Sequence, residues 1–303
     1  MKVFSGSSNK PLAEKIAQKL NTKLSPLEID VFPDSEKRVR VVDRVVEEDC
    51  VVVQSTSTPS DSNYMELFFI VDALKRSGAK SVTAVVPYLG YQRQDHIFRD
   101  GEAVSLQVII ETLERAGVSK LITFDLHSIK IPELFSIPVI HLSALELFAN
   151  EIRKLEANKL DAVLVSPDMG GIRRIKILSE MLSNMPFAVI DKNRDPATGK
   201  ISIKEIEGDV KGKQAIIVDD MISSGETIAK AVELLTKKGA SNIFVFATHP
   251  VFSGNASKLL QNAPIEKIYV TDSIYVPVEK QFPKLEIISI ANLICKSLKL
   301  YKI

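Results

Sequence analysis

Apolar positions along this chain follow two rhythms. Short β-branched runs, CVVVQ, SVTAVVPY, LITFDLH, AVLVSPD, FAVIDKN, AIIVDD and NIFVFATHP, alternate with longer amphipathic segments. That alternation predicts strands feeding helices in an α/β sheet. Nearly all of the strand runs are continuously hydrophobic, which suits parallel strands covered on both faces. Several end in a polar or acidic cluster, and open parallel sheets place ligands at the carboxyl ends of their strands.

The pattern also repeats. ALKRSGAKSVTAVVPY around Gly78 and LLTKKGASNIFVFATHP around Gly239 share a basic helix end, a glycine suited to a left-handed cap and an apolar strand running to a proline; TLERAGVSKLITFDLH around Gly117 is a looser third copy. The longer stretches containing the first two copies match in order of elements. Two similar α/β domains with parallel sheets flanked by helices are therefore expected, 1–142 and 143–282, with the boundary near IPVIHLSALELF. The final LEIISIANLICKSLKLYKI reads as a strand and an amphipathic helix, so 283–303 is expected to pack back on the first domain.

Composition narrows the class. With 303 residues and 45% hydrophobic content the chain can bury a full core, and 39 basic against 38 acidic residues give a net charge of +1. Nothing in that balance announces a nucleic-acid or anionic-membrane partner, so any polyanion site is local. Cys50 and Cys295 sit in apolar contexts without metal-ligand spacing, as buried thiols of a reducing compartment do. The start MKVFSGSSNK lacks the apolar core of a signal peptide, and no apolar run approaches membrane-spanning length. A cytoplasmic location is expected.

Candidate chemistry concentrates in IIVDDMISSGETI, residues 216–228. A buried strand ends at Asp219 and Asp220, and Ser223, Ser224, Gly225, Glu226 and Thr227 lead into a helix. A helix start offers free N–H groups and a positive dipole end, and small residues allow close approach, so the loop suits a phosphate. The two carboxylates can then accept from vicinal sugar hydroxyls or hold a hydrated magnesium ion. The same letters also read as an acidic turn followed by an N-cap.

VDDMISSGET after an apolar strand resembles the phosphoribosyl diphosphate motif of type I phosphoribosyltransferase folds. Together with FPDSEKRVRV, PYLGYQRQDHIFRDGEAVS, ITFDLHS, VSPDMGGIRR, VIDKNRD and THPVFSG, in that order and spacing, it makes essentially the full chain resemble the ribose-phosphate diphosphokinase, or phosphoribosyl pyrophosphate synthetase, family. The resemblance implies magnesium-dependent transfer of the β,γ-diphosphoryl group of ATP to the C1 hydroxyl of ribose 5-phosphate. It places Asp219 and Asp220 on the ribose hydroxyls and Ser223, Ser224, Gly225, Glu226 and Thr227 around the 5-phosphate.

The remaining roles come from the same resemblance. Arg93 and Gln94 would bind ATP, an arginine's forked donors suiting polyphosphate oxygens, although the loop alone also reads as solvated basic surface. Phe32, Asp34, Ser35 and Glu36 would bind adenine from a neighbouring subunit, which implies a homo-oligomer; alone they are an ordinary Pro-Asp turn. His127 and Asp168 would hold magnesium, though a lone histidine is more often structural and magnesium prefers oxygen. Lys192 and Arg194 would be catalytic on a mobile loop closing over the transferring group, with Arg194 also near ribose 5-phosphate; without context DKNRD beside PATGK is an exposed turn. His96, His141 and His249 stay structural or unassigned.

Four positions depart from the family pattern. Ser35 replaces a glycine, Asn193 a basic residue, Ser223 an aspartate and Glu226 a small residue. A carboxylate near a phosphate repels it, so Glu226 is expected to point away while its backbone N–H donates. Two other functions compete. A salvage phosphoribosyltransferase would share VDDMISSGET but has no reason to carry RQD, DLH and DKNRD, and a non-catalytic regulatory homologue would be expected to lose Lys192, Arg194 or His127. No GxxxxGK[ST] run exists for a Walker-type kinase.

Overall fold

The computed structural model describes residues 1–156, 161–194 and 201–301, with backbone only for 156, 192–194 and 201–205. Two compact units divide the chain. One holds Met1–Leu142, Ser273–Tyr275 and Ser289–Ile303, and the other Ser143–Asp272 and Val276–Ile288.

The first unit runs β1 (Lys2–Ser5), α1 (Lys10–Lys19), β2 (Leu27–Val31), β3 (Lys37–Val41), β4 (Asp49–Val53), α2 (Ser60–Arg76), β5 (Ser81–Val85), α3 (Ser105–Ala116), β6 (Lys120–Phe124) and β7 (Val139–Leu142). Its main sheet has the order β1-β4-β5-β6-β7, every pairing parallel. Beside it, β2 and β3 form an antiparallel hairpin that the hydrophobic runs do not reveal, because its residues alternate. Leu27, Ile29, Val39 and Val41 pack on the core, while Arg40 pairs with Glu28 and Arg38 with Asp30 on the exposed face.

The second unit runs α4 (Leu145–Glu156), β8 (Ala162–Ser166), α5 (Ile172–Met181), β9 (Phe187–Arg194), β10 (Ile201–Glu207), β11 (Gln214–Ile222), α6 (Glu226–Lys237), β12 (Ile243–Pro250), α7 (Ala256–Asn262), β13 (Lys267–Thr271) and β14 (Leu285–Ile288). Its sheet has the order β10-β9-β8-β11-β12-β13-β14, parallel except where β10 returns antiparallel along β9. Helix α8 (Ala291–Leu300) then belongs to the first unit, where the Cys295 thiol donates to Ile16 O of α1 at 3.7 Å. The C-terminal return thus begins at Ser289 rather than 283, because Leu285–Ile288 pairs with β13.

Burial explains why the strand runs are continuously apolar. In β8 and β11, Val163, Val165 and Ile217 join one core with Ile228, Val232 and Leu235 of α6. Their neighbours Leu164, Ile216 and Val218 join the other with Phe148 of α4 and Ile175 of α5. The sequence echo is structural as well. At Gly78, Gly117 and Gly239, all with positive φ, the next residue's N–H reaches back to Leu74, Leu113 and Leu235, closing each helix in the same way.

Candidate active site

In the first unit, the β2–β3 hairpin ends in a tight turn. Ser35 N–H donates to Phe32 O (2.9 Å), Phe32 N–H to Glu36 O (2.8 Å) and Glu36 N–H to Asp34 Oδ1 (3.2 Å). Ser35 takes φ +73°, the left-handed region that costs a side chain strain. Phe32, Asp34, Ser35 and Glu36 are all exposed at this tip. Directly after the turn the hairpin is fixed by a buried ion pair, Lys37 Nζ to Glu66 Oε2 at 2.6 Å, and Ser7 and Gln54 also donate to the Glu66 carboxylate. Burial alone would push the Glu66 carboxyl up, but the hydrogen bonds from Lys37 and Ser7 outweigh it and hold it below the ordinary glutamate range.

The loop after β5 is anchored through Gly90. Its N–H donates to Thr56 Oγ1 and its carbonyl accepts from Tyr64 Oη, both at 2.8 Å; a Cβ there would lie 2.5 Å from Thr56 O, so only glycine fits. Tyr91 Oη donates to Asp61. Arg93 and Gln94 are exposed just beyond, and Gln92 between them and the anchor is buried. The loop after β6 carries His127, whose N–H donates to Gln92 Oε1 at 2.8 Å, while Leu126 N–H donates to His141 Nε2 at 2.9 Å. A cavity of about 710 Å³ opens between these loops, lined by Arg93, Asp95, His96, His127, Lys130 and Glu133 among others. The structure therefore brings Arg93 and His127 together, as lining of one cavity.

In the second unit the chain starts at β8, moves outward through β9 and β10, and returns to β11 on the other side of β8. That is a topological switch point, where a crevice opens beyond the strand ends. Asp168 follows β8 there and caps the next turn, its Oδ1 accepting from Gly171 N–H at 3.1 Å. Asp219 and Asp220 lie within β11, which continues past them to Ile222 instead of stopping at Val218. Arg174, in the first turn of α5, reaches both, with Nη1 3.5 Å from Asp219 Oδ1 and Nη2 3.8 Å from Asp220 Oδ1. Burial pushes the Asp219 carboxyl well above the ordinary range, the charge of Asp220 pushes the same way, and Arg174 pulls against both.

The loop from β11 to α6 follows. Ser223 Oγ lies 3.2 Å from Ser253 Oγ, and Gly225 takes φ +79° as the N-cap, packed against Leu260. Helix α6 begins at Glu226, slightly earlier than its apolar pattern suggests. Glu226 is exposed, and its N–H reaches Ser224 Oγ at 3.5 Å. The backbones of Lys192 and Arg194 close β9, pairing with Ile203 and Ile201; their side chains lie outside the described residues. Among the described residues no group of three or more His, Cys, Asp or Glu side chains is arranged to hold a metal ion.

Two family models match this chain, the N-terminal domain of ribose phosphate pyrophosphokinase over residues 1–117 and the phosphoribosyl synthetase-associated domain over 184–302. Ribose-phosphate pyrophosphokinase 2 of Enterococcus faecalis is 38% identical over 99% of this chain and 92% of its own length. Ribose-phosphate pyrophosphokinase 1 of Streptococcus agalactiae is 41% identical over 97% of this chain and 91% of its own length. This chain belongs to the ribose-phosphate pyrophosphokinase family. The crystal structure of phosphoribosylpyrophosphate synthetase from Mycobacterium smegmatis superimposes with a TM-score of 0.94 at 34% identity, covering 99% of this chain and 98% of that one.

Membership makes the chain an enzyme with the two-sheet, phosphoribosyltransferase-like architecture expected of it. Three contacts around the candidate site escaped the sequence. Arg174 sits inside VSPDMGGIRR, and its place in the first turn of the helix after Asp168 was the available signal. Gln92, and the pairing of Lys37 with Glu66, carried none, since their partners are distant in sequence.

Proposed function

We propose that this pyrophosphokinase transfers the β,γ-diphosphoryl group of ATP to the C1 hydroxyl of ribose 5-phosphate. The observation that carries the reading is the switch point of the second unit, where Asp219 and Asp220, held by Arg174, precede a small-residue loop on the start of α6. The carboxylates accept from ribose hydroxyls, and the loop with the first N–H groups of α6 takes the 5-phosphate. Glu226 is exposed, free to turn its carboxylate outward and leave that cradle unopposed.

The nucleotide lies on the first unit, with Arg93 and Gln94 on its phosphates. Phe32, Asp34, Ser35 and Glu36 are offered from the hairpin of a second copy, which the exposure of Phe32 supports. The C1 oxygen attacks the β-phosphorus and its proton leaves to solvent. The bond from that phosphorus to the α,β-bridging oxygen breaks, and AMP departs with the electron pair. Lys192 and Arg194 place positive charge where it builds, and alignment supplies most of the rest.

Asp168, an oxygen donor at a strand end, fits magnesium, and His127 is the poorer, nitrogen donor beside the phosphate-binding cavity. Few side chains plus phosphate oxygens suit that ion. When bound, magnesium neutralises charge on the phosphates. A cytoplasmic location is supported by Cys50 and Cys295, both buried and unpaired. The test is formation of AMP and phosphoribosyl diphosphate from ATP and ribose 5-phosphate with magnesium. Both products should appear in equal amounts, and binding of the substrates without AMP would overturn the reading in favour of a regulatory homologue.

A further inference from the structure

We infer that Gln92 is a positioning residue that locks the loop carrying His127 to the loop carrying Arg93, and so sets the geometry of the nucleotide's metal-bound phosphates. The inference rests on the assignment of Arg93 and His127 to ATP and its metal. Gln92 is 1% exposed, between the Gly90 anchor and Arg93. Its Oε1 accepts the His127 backbone N–H at 2.8 Å, across 35 positions of sequence. Its Nε2 is buried and has no hydrogen-bond partner among the described residues.

That asymmetry separates positioning from packing. A side chain chosen to fill space would not carry an amide whose buried donor half meets no protein acceptor among the described residues, because a methionine of similar shape avoids the desolvation. The oxygen cannot be exchanged with the nitrogen either, since His127 presents a donor. The carboxamide is therefore retained for one contact, from a residue adjoining Arg93 to the backbone of His127. Arg93 and His127 line the same cavity, so a displaced His127 loop changes how phosphates and metal meet there.

The experiment uses the full chain with Gln92→Met, His127→Ala and the double variant. Binding of ATP with and without magnesium, and of ribose 5-phosphate, is measured by calorimetry, and the ligand-free thermal midpoint is recorded. Expected for Gln92→Met are an unchanged or raised midpoint, unchanged ribose 5-phosphate binding and about tenfold weaker binding of ATP with magnesium, as loss of a supporting contact behind a metal ligand gives. ATP without magnesium should change less. In the His127→Ala background, Gln92→Met should add little, because the two act through one element.

Normal magnesium-ATP binding, or equal loss for both substrates with a lowered midpoint, would make Gln92 a packing residue and overturn the inference. Full additivity with His127→Ala would overturn it too. If His127→Ala alone binds magnesium-ATP like the parent, the role of His127 fails and takes the inference with it, while product formation by the parent shows that the reaction stands. Should Gln92→Met not fold, hydrogen exchange in the ligand-free parent decides. A slowly exchanging His127 amide supports the lock, and exchange at the solvent rate overturns it.

Discussion

Asp219 is costly to keep charged in the free protein, and that cost has a sign. Its folded-state carboxyl titrates above the ordinary range, chiefly through burial and then through Asp220. Below the unfolded carboxylate range it is protonated in both states and costs nothing; above its folded-state value the native fold holds a charge that the unfolded chain carries easily. Asp219→Asn should therefore raise ligand-free stability at neutral pH, with the gain fading as pH falls into the acid range. The same change should lower kcat/KM for ribose 5-phosphate by roughly 10- to 100-fold, the value of a hydrogen bond to a charged acceptor. Denaturant melts across pH and steady-state kinetics check the two halves; a variant destabilised at neutral pH would contradict the account. Lys192→Ala should lower turnover by roughly 100- to 1,000-fold with ribose 5-phosphate binding retained. Equal loss of both would mean that Lys192 only binds.

At the scale of elements, the β2–β3 hairpin depends on one buried ion pair. Glu66 is held below the ordinary glutamate range by Lys37 and Ser7 against burial, so its contribution is present above that range and is lost as pH falls through its depressed value. Lys37→Met leaves a buried carboxylate with only Ser7 and Gln54, and should cost about 3 kcal/mol, near the low end for breaking a buried pair. Chemical denaturation at neutral pH measures that cost, and it should shrink in acid. The strand pattern made β4, β5 and β6 of the first sheet and β8, β9, β11, β12 and β14 of the second legible, because residues buried on two faces leave continuous apolar runs, but it passed over β1, β7 and β13. It did not reveal β2 and β3, whose alternating Lys37, Arg38, Val39 and Arg40 reflect a sheet with one wet face. The place of Arg174 in the first turn after Asp168 could be read, but its contact with two aspartates could not, since that needs α5 and β11 to meet.

At the scale of the whole molecule, the exposed hairpin tip makes a claim about assembly. If Phe32 of one copy completes the adenine site of another, chains carrying Phe32→Ala and chains carrying Lys192→Ala should each be inactive yet regain activity when mixed and allowed to exchange. Random pairing restores roughly a quarter of the shared sites in a symmetric assembly. An activity assay on the mixture, with size-exclusion chromatography to confirm association, checks it; no recovery despite exchange would place Phe32 and Lys192 in the same chain's site.

The sequence by itself determined most of the buried parallel strands and the helices that follow them, where Gly78, Gly117 and Gly239 close helices, and, through motifs in order, which family the chain belongs to. These are local facts, written as period, cap and spacing. The tertiary structure alone decided that β8 and β11 become neighbours, which turns Asp168, Arg174, Asp219 and Asp220 into one cluster at a crevice, and that Gln92 meets His127. Strand order within a sheet follows from how buried faces combine across the chain, and hydrophobic periodicity is the same for every order that buries them.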